Sequence, residues 1–425
     1  MNTLKKLTTI LAIFLSGCGG GASTSAPTTA PAPVAATPAP VVPAPAPAPT
    51  PTVTLAASVK NVAYGSTFNV NWTGTNTNAC TASGNWSGAL AGSGTQTITP
   101  STLGVNTMSI TCGTATASAT VNVLPQETAI PDPVFATALN TMGYAVVNGK
   151  MQTSVALTIT KFIISHVKYN VDLASNPLFY KYPFYQTPDN VYIKDATGLE
   201  NFANLTDFRF EGQQVKSFNL NAMTQLTNVS LWKNPISSID LSKNTLLTSM
   251  GLSENQLKTV DISMLPELVE IAFQNDDRAR PYTTNNGVVV TGFTSIDVSK
   301  NVKLQRIYLM GNELTTLDVS KNSALQELYV RDNKLTSMNL TANKNLNSLT
   351  IDKNDLSYLN ITGINNGQIP RRLYADNNPR LLQIQVTNAS AIYKHIADVI
   401  ANTPAGQSPA HGIFIDPWTV LVNGN

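Results

Sequence analysis

The chain has 425 residues, long enough for two or three domains at roughly 150 residues each. Hydrophobic residues reach 42%, so a sizeable core is available, yet charged residues make up only 12%, against roughly 25% in an average domain. With 27 basic and 25 acidic residues, three Cys and three His, the composition excludes a polybasic nucleic-acid footprint and leaves little room for thiol or zinc chemistry.

Lys5 and Lys6 precede the apolar run Leu7 to Leu15, which is too short to span a bilayer and predicts a secretory signal over residues 1–17. The run closes in Leu15-Ser16-Gly17-Cys18. This resembles a bacterial lipobox, and the resemblance implies that Cys18 carries lipid on its sulfur and becomes the mature N-terminus. Two or more acyl chains anchor stably where one does not. Without Lys5 and Lys6 the mature chain holds 25 basic and 25 acidic residues. Gly19, not Asp, follows the cysteine. By likeness to Gram-negative lipoproteins this implies the outer membrane, and surface exposure is the expectation. Residues 18–51 read as a linker, in which Pro27 to Pro51 holds ten Pro, eight Ala and no charge. Such a segment favours extended polyproline II and reaches on the order of 80 Å at ~3.1 Å per residue.

From Val53 to Val123 short alternating runs are separated by Gly, Asn and Ser. Phe68, Val70 and Trp72 alternate with polar residues, as do Met108, Ile110 and Cys112, and Val121 and Val123 close the segment. The pattern predicts a small antiparallel β-sandwich over residues 52–124. Cys80 and Cys112 are the two cysteines left once Cys18 is lipidated, and in an oxidising compartment they are expected to pair. Tyr64-Gly65-Ser66, Asn71-Trp72-Thr73, the stretch from Cys80 to Gly88, and Ser109-Ile110-Thr111-Cys112 resemble bacterial immunoglobulin-like domains of surface proteins. Trp72 precedes the first cysteine, so the disulfide topology of antibody domains does not carry over. Lys60 is the only charge between Leu7 and Gln126, which points to a spacer domain.

The remainder repeats itself. Leu205, Leu226, Leu247 and Leu268 are spaced by 21, and so are Leu304, Leu325 and Leu346. Each opens the pattern L-x-x-L-x-L-x-x-N, as in Leu226, Val229, Leu231 and Asn234. A second apolar triplet follows, as in Leu314, Leu317 and Val319. This periodicity resembles the leucine-rich repeat family and implies a solenoid of parallel β-coils with a short or irregular convex side over 205–388. Asn234, Asn255, Asn312, Asn333, Asn354 and Asn378 fall at the corner, with Gln213 and Asp276 as variants. A short amide there satisfies buried backbone groups of the neighbouring coil, so these Asn are expected to be scaffold. One coil cannot bury its own apolar face, so the array needs caps. Residues 125–204 read as the N-terminal cap: Asp132 is the N-cap of a helix with Pro133 at its first position and Gly143 past its end. This resembles the cap helix of bacterial leucine-rich repeat proteins, and Gly198 to Thr206 resembles their first-repeat start. Asn148 to Thr187 fits neither. Ile392, Ile396, Val399 and Ile400 predict a closing helix within a C-terminal cap over 389–425, with Gly412 to Val422 as terminal strands.

Two insertions break the period. Leu268 to Leu304 spans 36 residues, 15 more than one repeat. The insertion, about Arg278 to Gly292, carries Asn286-Gly287 between two β-rich runs and predicts a hairpin. It is either a tolerated surface loop or a ligand contact. A shorter insertion lies near Asn365-Asn366-Gly367.

Outward positions of the first strand line one face, on the order of 35–40 Å long for eight coils at ~4.8 Å each. Arg209, Trp232, Lys233, Arg306, Tyr308, Tyr329, Arg331 and Tyr374 are the candidate ligand-binding residues, with Glu211, Glu270, Glu327, Arg372 and Asp376 beside them. Exposed Tyr, Trp and Arg are what binding hot spots are made of. The opposite half-coil carries Asp240, Asp261, Asp297 and Asp318, then Asn339 and Asn360, which are expected to cap turns rather than hold a cation. No G-x-S-x-G or H-E-x-x-H occurs, and five residues, not four, separate Gly143 from Gly149-Lys150, so a phosphate loop is not formed. The expectation is a non-enzymatic, lipid-anchored adhesion or binding protein, without cofactor, metal or nucleic acid, whose strand face engages a protein or a glycan. The alternatives are a periplasm-facing envelope scaffold and, remotely, an enzyme with a site in 148–187.

Overall fold

The computed structural model describes residues 49–166, 183–275, 281–367, 370–387, 413–415 and 419–423. The signal segment, Cys18, most of the Pro/Ala linker, Asp276 and the closing helix expected around 392–400 lie outside the described residues.

Residues 52–124 form two packed sheets. Phe68–Thr75 is central in the smaller sheet, antiparallel to Thr52–Ala57 and to Ser93–Ile98. The larger sheet runs Asn61–Ala63, Ala115–Leu124, Gly104–Cys112, Ala79–Gly84, Gly88–Ala91, with its first pair parallel and the rest antiparallel. The alternation places Phe68, Val70, Trp72, Met108, Ile110 and Val121 in the core between the sheets. Trp72 and Trp86 meet edge to face with centroids 5.6 Å apart, and each indole N–H reaches a carbonyl, Ala91 and Ser109 respectively. A disulfide joins Cys80 to Cys112, whose Cα atoms lie 4.2 Å apart. Both cysteines belong to the larger sheet, on adjacent antiparallel strands, so the bond crosses two neighbours within one sheet.

The sandwich rests on the first turns of the solenoid. Asn61 Nδ2 donates to Asn204 Oδ1 at 3.1 Å, and Lys60 Nζ donates to Gln225 Oε1, also at 3.1 Å.

The rest is a leucine-rich repeat solenoid built on an eleven-stranded parallel sheet. The strands at 207–211, 228–230, 249–251, 270–272, 306–308, 327–329, 348–350 and 372–374 follow one another in sequence order. Leu226, Val229 and Leu231 and their repeat equivalents are fully or almost fully buried in one continuous core. On the opposite side Ser337–Asn339, Tyr358–Asn360, Gln383–Val386 and Val420–Asn423 form a second parallel sheet, so the convex side is regular over the last coils. Ile413–Phe414 and Val420–Asn423 end the two sheets, in line with the expected terminal strands.

The N-terminal cap helix spans Pro133–Thr141. Asp132 serves it twice: Oδ1 accepts from the N–H groups of Val134 and Phe135, and Oδ2 accepts from those of Lys194 and Asp195. One carboxylate therefore caps the helix and pins the start of the repeats to it. Phe135, Phe162, Phe202, Phe208 and Phe210 pack ring against ring and plug this end of the core. The stretch that fits no sequence pattern supplies two further strands. Lys161–Ser165 pairs in parallel with Asp207–Glu211, and Phe184–Gln186 pairs on its outer side. The parallel ladder thus starts well before Leu205, because Phe162 and Ile164 supply inward side chains although their segment lacks the 21-residue spacing.

Candidate functional site

The register of the main sheet puts Arg209, Ser230, Gly251, Ala272, Tyr308, Tyr329, Thr350 and Tyr374 in a single row across the strand face. The row changes character halfway. Its first part has small side chains on Ser230, Gly251 and Ala272, and a groove of about 230 Å³ opens there, lined by Arg209, Asn228, Ser249 and Glu270 among others. A Cβ added at Gly251 would stand 3.3 Å from Ser230 Oγ, so glycine keeps the floor low.

The second part is aromatic and charged. Tyr308 and Tyr329 meet edge to face, centroids 5.1 Å apart. Tyr308 Oη donates to Glu327 Oε2 at 2.9 Å. Burial, then this hydrogen bond to a carboxylate, raises the Tyr308 phenol well above its ordinary value, and burial likewise raises Tyr329. The Arg372 guanidinium lies between Tyr329 and Tyr374, its Cζ 5.4 Å and 5.5 Å from the two ring centroids. Arg306 Nε contacts Glu270 Oε2 at 2.6 Å, and Arg331 Nε lies 3.1 Å from Asp352 Oδ2. Burial pushes the Asp352 carboxyl up to about 6 despite the opposing pull of Arg331.

Trp232 and Lys233 sit apart from this row, at the corner. Trp232 Nε1 donates to Glu254 Oε1 at 3.3 Å, and Lys233 Nζ lies 3.5 Å from Glu254 Oε2 and 4.7 Å from the Trp232 ring centroid. The opposite charges gathered on the face are therefore largely paired with one another, coil to coil, which presents aromatic rings in fixed orientations. Glu211 departs from the sequence expectation. It is 3% exposed rather than open on the face, because the preceding strand continues over it and the His166 N–H bonds to its carbonyl. Burial raises its carboxyl to about 7.

The six corner Asn form a buried ladder. Asn333 Nδ2 donates to the carbonyls of Leu309 in the preceding coil (2.9 Å) and Val330 in its own (3.0 Å), while Oδ1 accepts from Leu314 N–H (3.1 Å). Asn234, Asn255, Asn312, Asn354 and Asn378 donate to the equivalent carbonyls. The residue before the Asn takes a left-handed conformation at Lys233, Glu254, Gly311, Asp332, Lys353 and Asn377. A second ladder, not foreseen from the sequence, runs through Asn244, Asn301, Asn322 and Asn343. Asn322 Nδ2, for example, donates to the carbonyls of Val298 (3.1 Å) and Asn301 (2.9 Å). Its sequence signal is an Asn three residues before each of Leu247, Leu304, Leu325 and Leu346.

Asp240, Asp261, Asp297 and Asp318 each accept a hydrogen bond from the N–H two residues on. That bond holds all four carboxyls below the usual range. Among the described residues no group of three or more His, Cys, Asp or Glu is placed to hold a metal ion, and no helix is long and apolar enough to cross a membrane.

The long insertion is a hairpin, with Tyr282–Thr283 antiparallel to Val289–Val290. Its turn is anchored to the solenoid through one residue. Asn286 is buried, and its Nδ2 donates to the carbonyls of Gln213 (3.0 Å) and Lys233 (2.9 Å), at the corners of coils far upstream. Gln214 Nε2 donates back to the Asn286 carbonyl at 2.8 Å. The hairpin is thus strapped to the first coils. The shorter insertion makes a tight turn in which Asn365 and Asn366 are left-handed.

Comparison with protein-family models finds no match, and neither does comparison with curated proteins. Among solved structures the chain is similar to the functional domain of InlJ from Listeria monocytogenes, at 16% identity, 63% of this chain, 78% of that chain and a TM-score of 0.24. It is also similar to the internalin InlF of the same species, at 17% identity, 60% of this chain, 89% of that chain and a TM-score of 0.27. The leucine-rich repeat domain of APL1B matches at 16% identity, 59% of this chain, 78% of that chain and a TM-score of 0.32. The repeat fold itself is given by the parallel ladder of this chain.

Proposed function

We propose that this is a non-enzymatic binding protein, held by lipid on Cys18 at the Gram-negative outer membrane, whose strand face engages a protein partner outside the cell. The observation that supports it most is the half-row Tyr308, Tyr329 and Tyr374, oriented by Arg372 and Glu327 on a rigid parallel sheet. Large aromatic rings already held in place lose little conformational freedom on binding, which favours them as anchors. The low groove beside them, bounded by Arg209 and Glu270, receives a projecting group of the partner. The sandwich, with Lys60 as its only charge and immunoglobulin-like by its sequence, serves as a spacer joined to the first coils. Its linker lifts both from the lipid surface.

The test replaces Tyr308, Tyr329 and Tyr374 together by Ala in the full-length protein, with folding checked by circular dichroism. Partners captured from cell-surface extracts by the wild type are expected to be lost by the variant. Undiminished capture by the folded variant overturns the face assignment. Protease shaving of intact cells tests the placement: cleavage without permeabilisation is expected, and protection until the outer membrane is breached favours an envelope scaffold.

A further inference from the structure

The strapped hairpin has a second consequence, independent of the strand-face reading. Its turn, the corner at Gly212 and Lys233, and the loop before Ile193 enclose a pocket of about 480 Å³. That volume falls in the range of small-ligand sites, roughly 300–1,000 Å³. Residues far apart in sequence meet there: His166; Asp189, Asn190 and Tyr192; Gly212; Lys233; and Asn285 beside the buried Asn286.

The wall on the cap side is preset. His166 Nδ1 and Thr187 Oγ1 are hydrogen-bonded at 2.9 Å, and the imidazole packs on the Tyr192 ring with centroids 4.4 Å apart. The opposite wall is preset too, because Asn286 is tied to two backbone carbonyls of the solenoid. Asn285, next to it, is exposed and faces the same space.

The chemistry of the lining narrows the ligand. Among the described residues that line the pocket there is no Leu, Ile, Val, Phe or Met, so its contacts are set mainly by polar side chains and the His166–Tyr192 pair. Among the described lining residues the charged side chains are Asp189 and Lys233, of opposite sign, with the His166 imidazole beside them, and Glu254 stands 3.5 Å from that lysine. Neither an anion nor a cation is favoured as a whole. The described lining is a set of donors and acceptors, the side-chain amides of Asn190, Asn285 and Asn286, the Asp189 carboxylate, the Lys233 ammonium and the Tyr192 phenol, beside the His166–Tyr192 stack. A neutral polyhydroxylated ring, with hydroxyls that both donate and accept and C–H faces that lie on an aromatic ring, matches that set.

We propose that the insertion between residues 278 and 292 builds a saccharide-binding pocket, sized for one or two sugar residues, between its own turn and the N-terminal cap.

The probes are glucose, galactose, mannose, N-acetylglucosamine, lactose and N,N′-diacetylchitobiose. Each is titrated into the full-length protein by calorimetry and by saturation-transfer NMR. At least one is expected to bind with one-to-one stoichiometry. Asn285→Trp fills the mouth from an exposed position and is expected to weaken that sugar at least ~10-fold, a loss of ~1.4 kcal/mol. Asn285→Ala, which removes an amide without adding bulk, is expected to weaken it less. Failure of all six sugars to bind overturns the proposal. So does a bound sugar whose affinity is the same in the folded Asn285→Trp protein.

Discussion

Nη1 of Arg372 donates a hydrogen bond of 2.9 Å to the hydroxyl of Tyr329, two coils back along the sheet. The bond passes across the coil of Thr350, which shares the Tyr row and is nearly buried beneath its neighbours. A small side chain at 350 is what lets the guanidinium reach over and orient both flanking rings.

Replacing Thr350 by Tyr therefore crowds Arg372 out of its seat. Overpacking of this kind costs about 1–3 kcal/mol. If the crowding falls on Arg372, the cost shrinks when Arg372 is already Ala, by at least ~0.5 kcal/mol. A double-mutant cycle by urea denaturation measures this directly, and strict additivity contradicts the arrangement.

Asn333 is held by the carbonyls of Leu309, Val330 and Arg331. Ala at this position leaves the buried Leu314 N–H without its acceptor, at ~1–3 kcal/mol, while the three carbonyls keep second donors in Asn312, Asn354 and the Gly311 N–H. A loss of about 1–3 kcal/mol is expected. Asn322→Ala, in the second ladder, should cost less, because the Val298 and Asn301 carbonyls keep the N–H groups of Asn301 and Leu304. A denaturant midpoint unchanged in either variant removes the ladder from the account of stability.

The pH dependence separates two sets of carboxyls. Glu211 is raised by burial from 4.5 to about 7, and Asp352 from 3.8 to about 6. Their folded forms hold a proton that the unfolded chain releases, so stability falls as pH rises from about 4 to about 7. The lowered Asp240, Asp261, Asp297 and Asp318 act oppositely, and their contribution is lost only as pH drops below the ordinary value of 3.8. The melting temperature is expected to be higher at pH 5 than at pH 8. Glu211→Gln should flatten much of that slope, which is on the order of 1–3 kcal/mol. A variant that melts with the wild-type pH profile speaks against Glu211 as the source.

Reduction of the Cys80–Cys112 bond opens a loop with a sequence separation of 32. The chain-entropy model gives about 3–4 kcal/mol for such a closure. Paired Cys80→Ser and Cys112→Ser substitutions should destabilise the sandwich by that amount. Protease sensitivity is expected to rise first within residues 52–124. Cleavage that begins in the repeats instead would place the weak point elsewhere.

Much of this molecule was legible in the sequence because each coil solves the same local problem. Leu226, Val229, Leu231 and Asn234 recur at one spacing, so alternation and the corner amide declare the inward face and the turn without reference to distant residues. The cap helix was readable for the same reason, since Asp132, Pro133 and Gly143 act within a few residues of one another. The tertiary structure alone decided what depends on distance along the chain. Asn286 finds the carbonyls of Gln213 and Lys233 across 73 and 53 residues. Lys161–Ser165 joins a ladder whose 21-residue signature it lacks. Arg372 reaches Tyr329 across 43 residues. Stacking at ~4.8 Å per coil converts such separations into van der Waals contact. Periodicity specifies a coil, whereas the pairing of charges and the seating of a hairpin are settled only where coils meet.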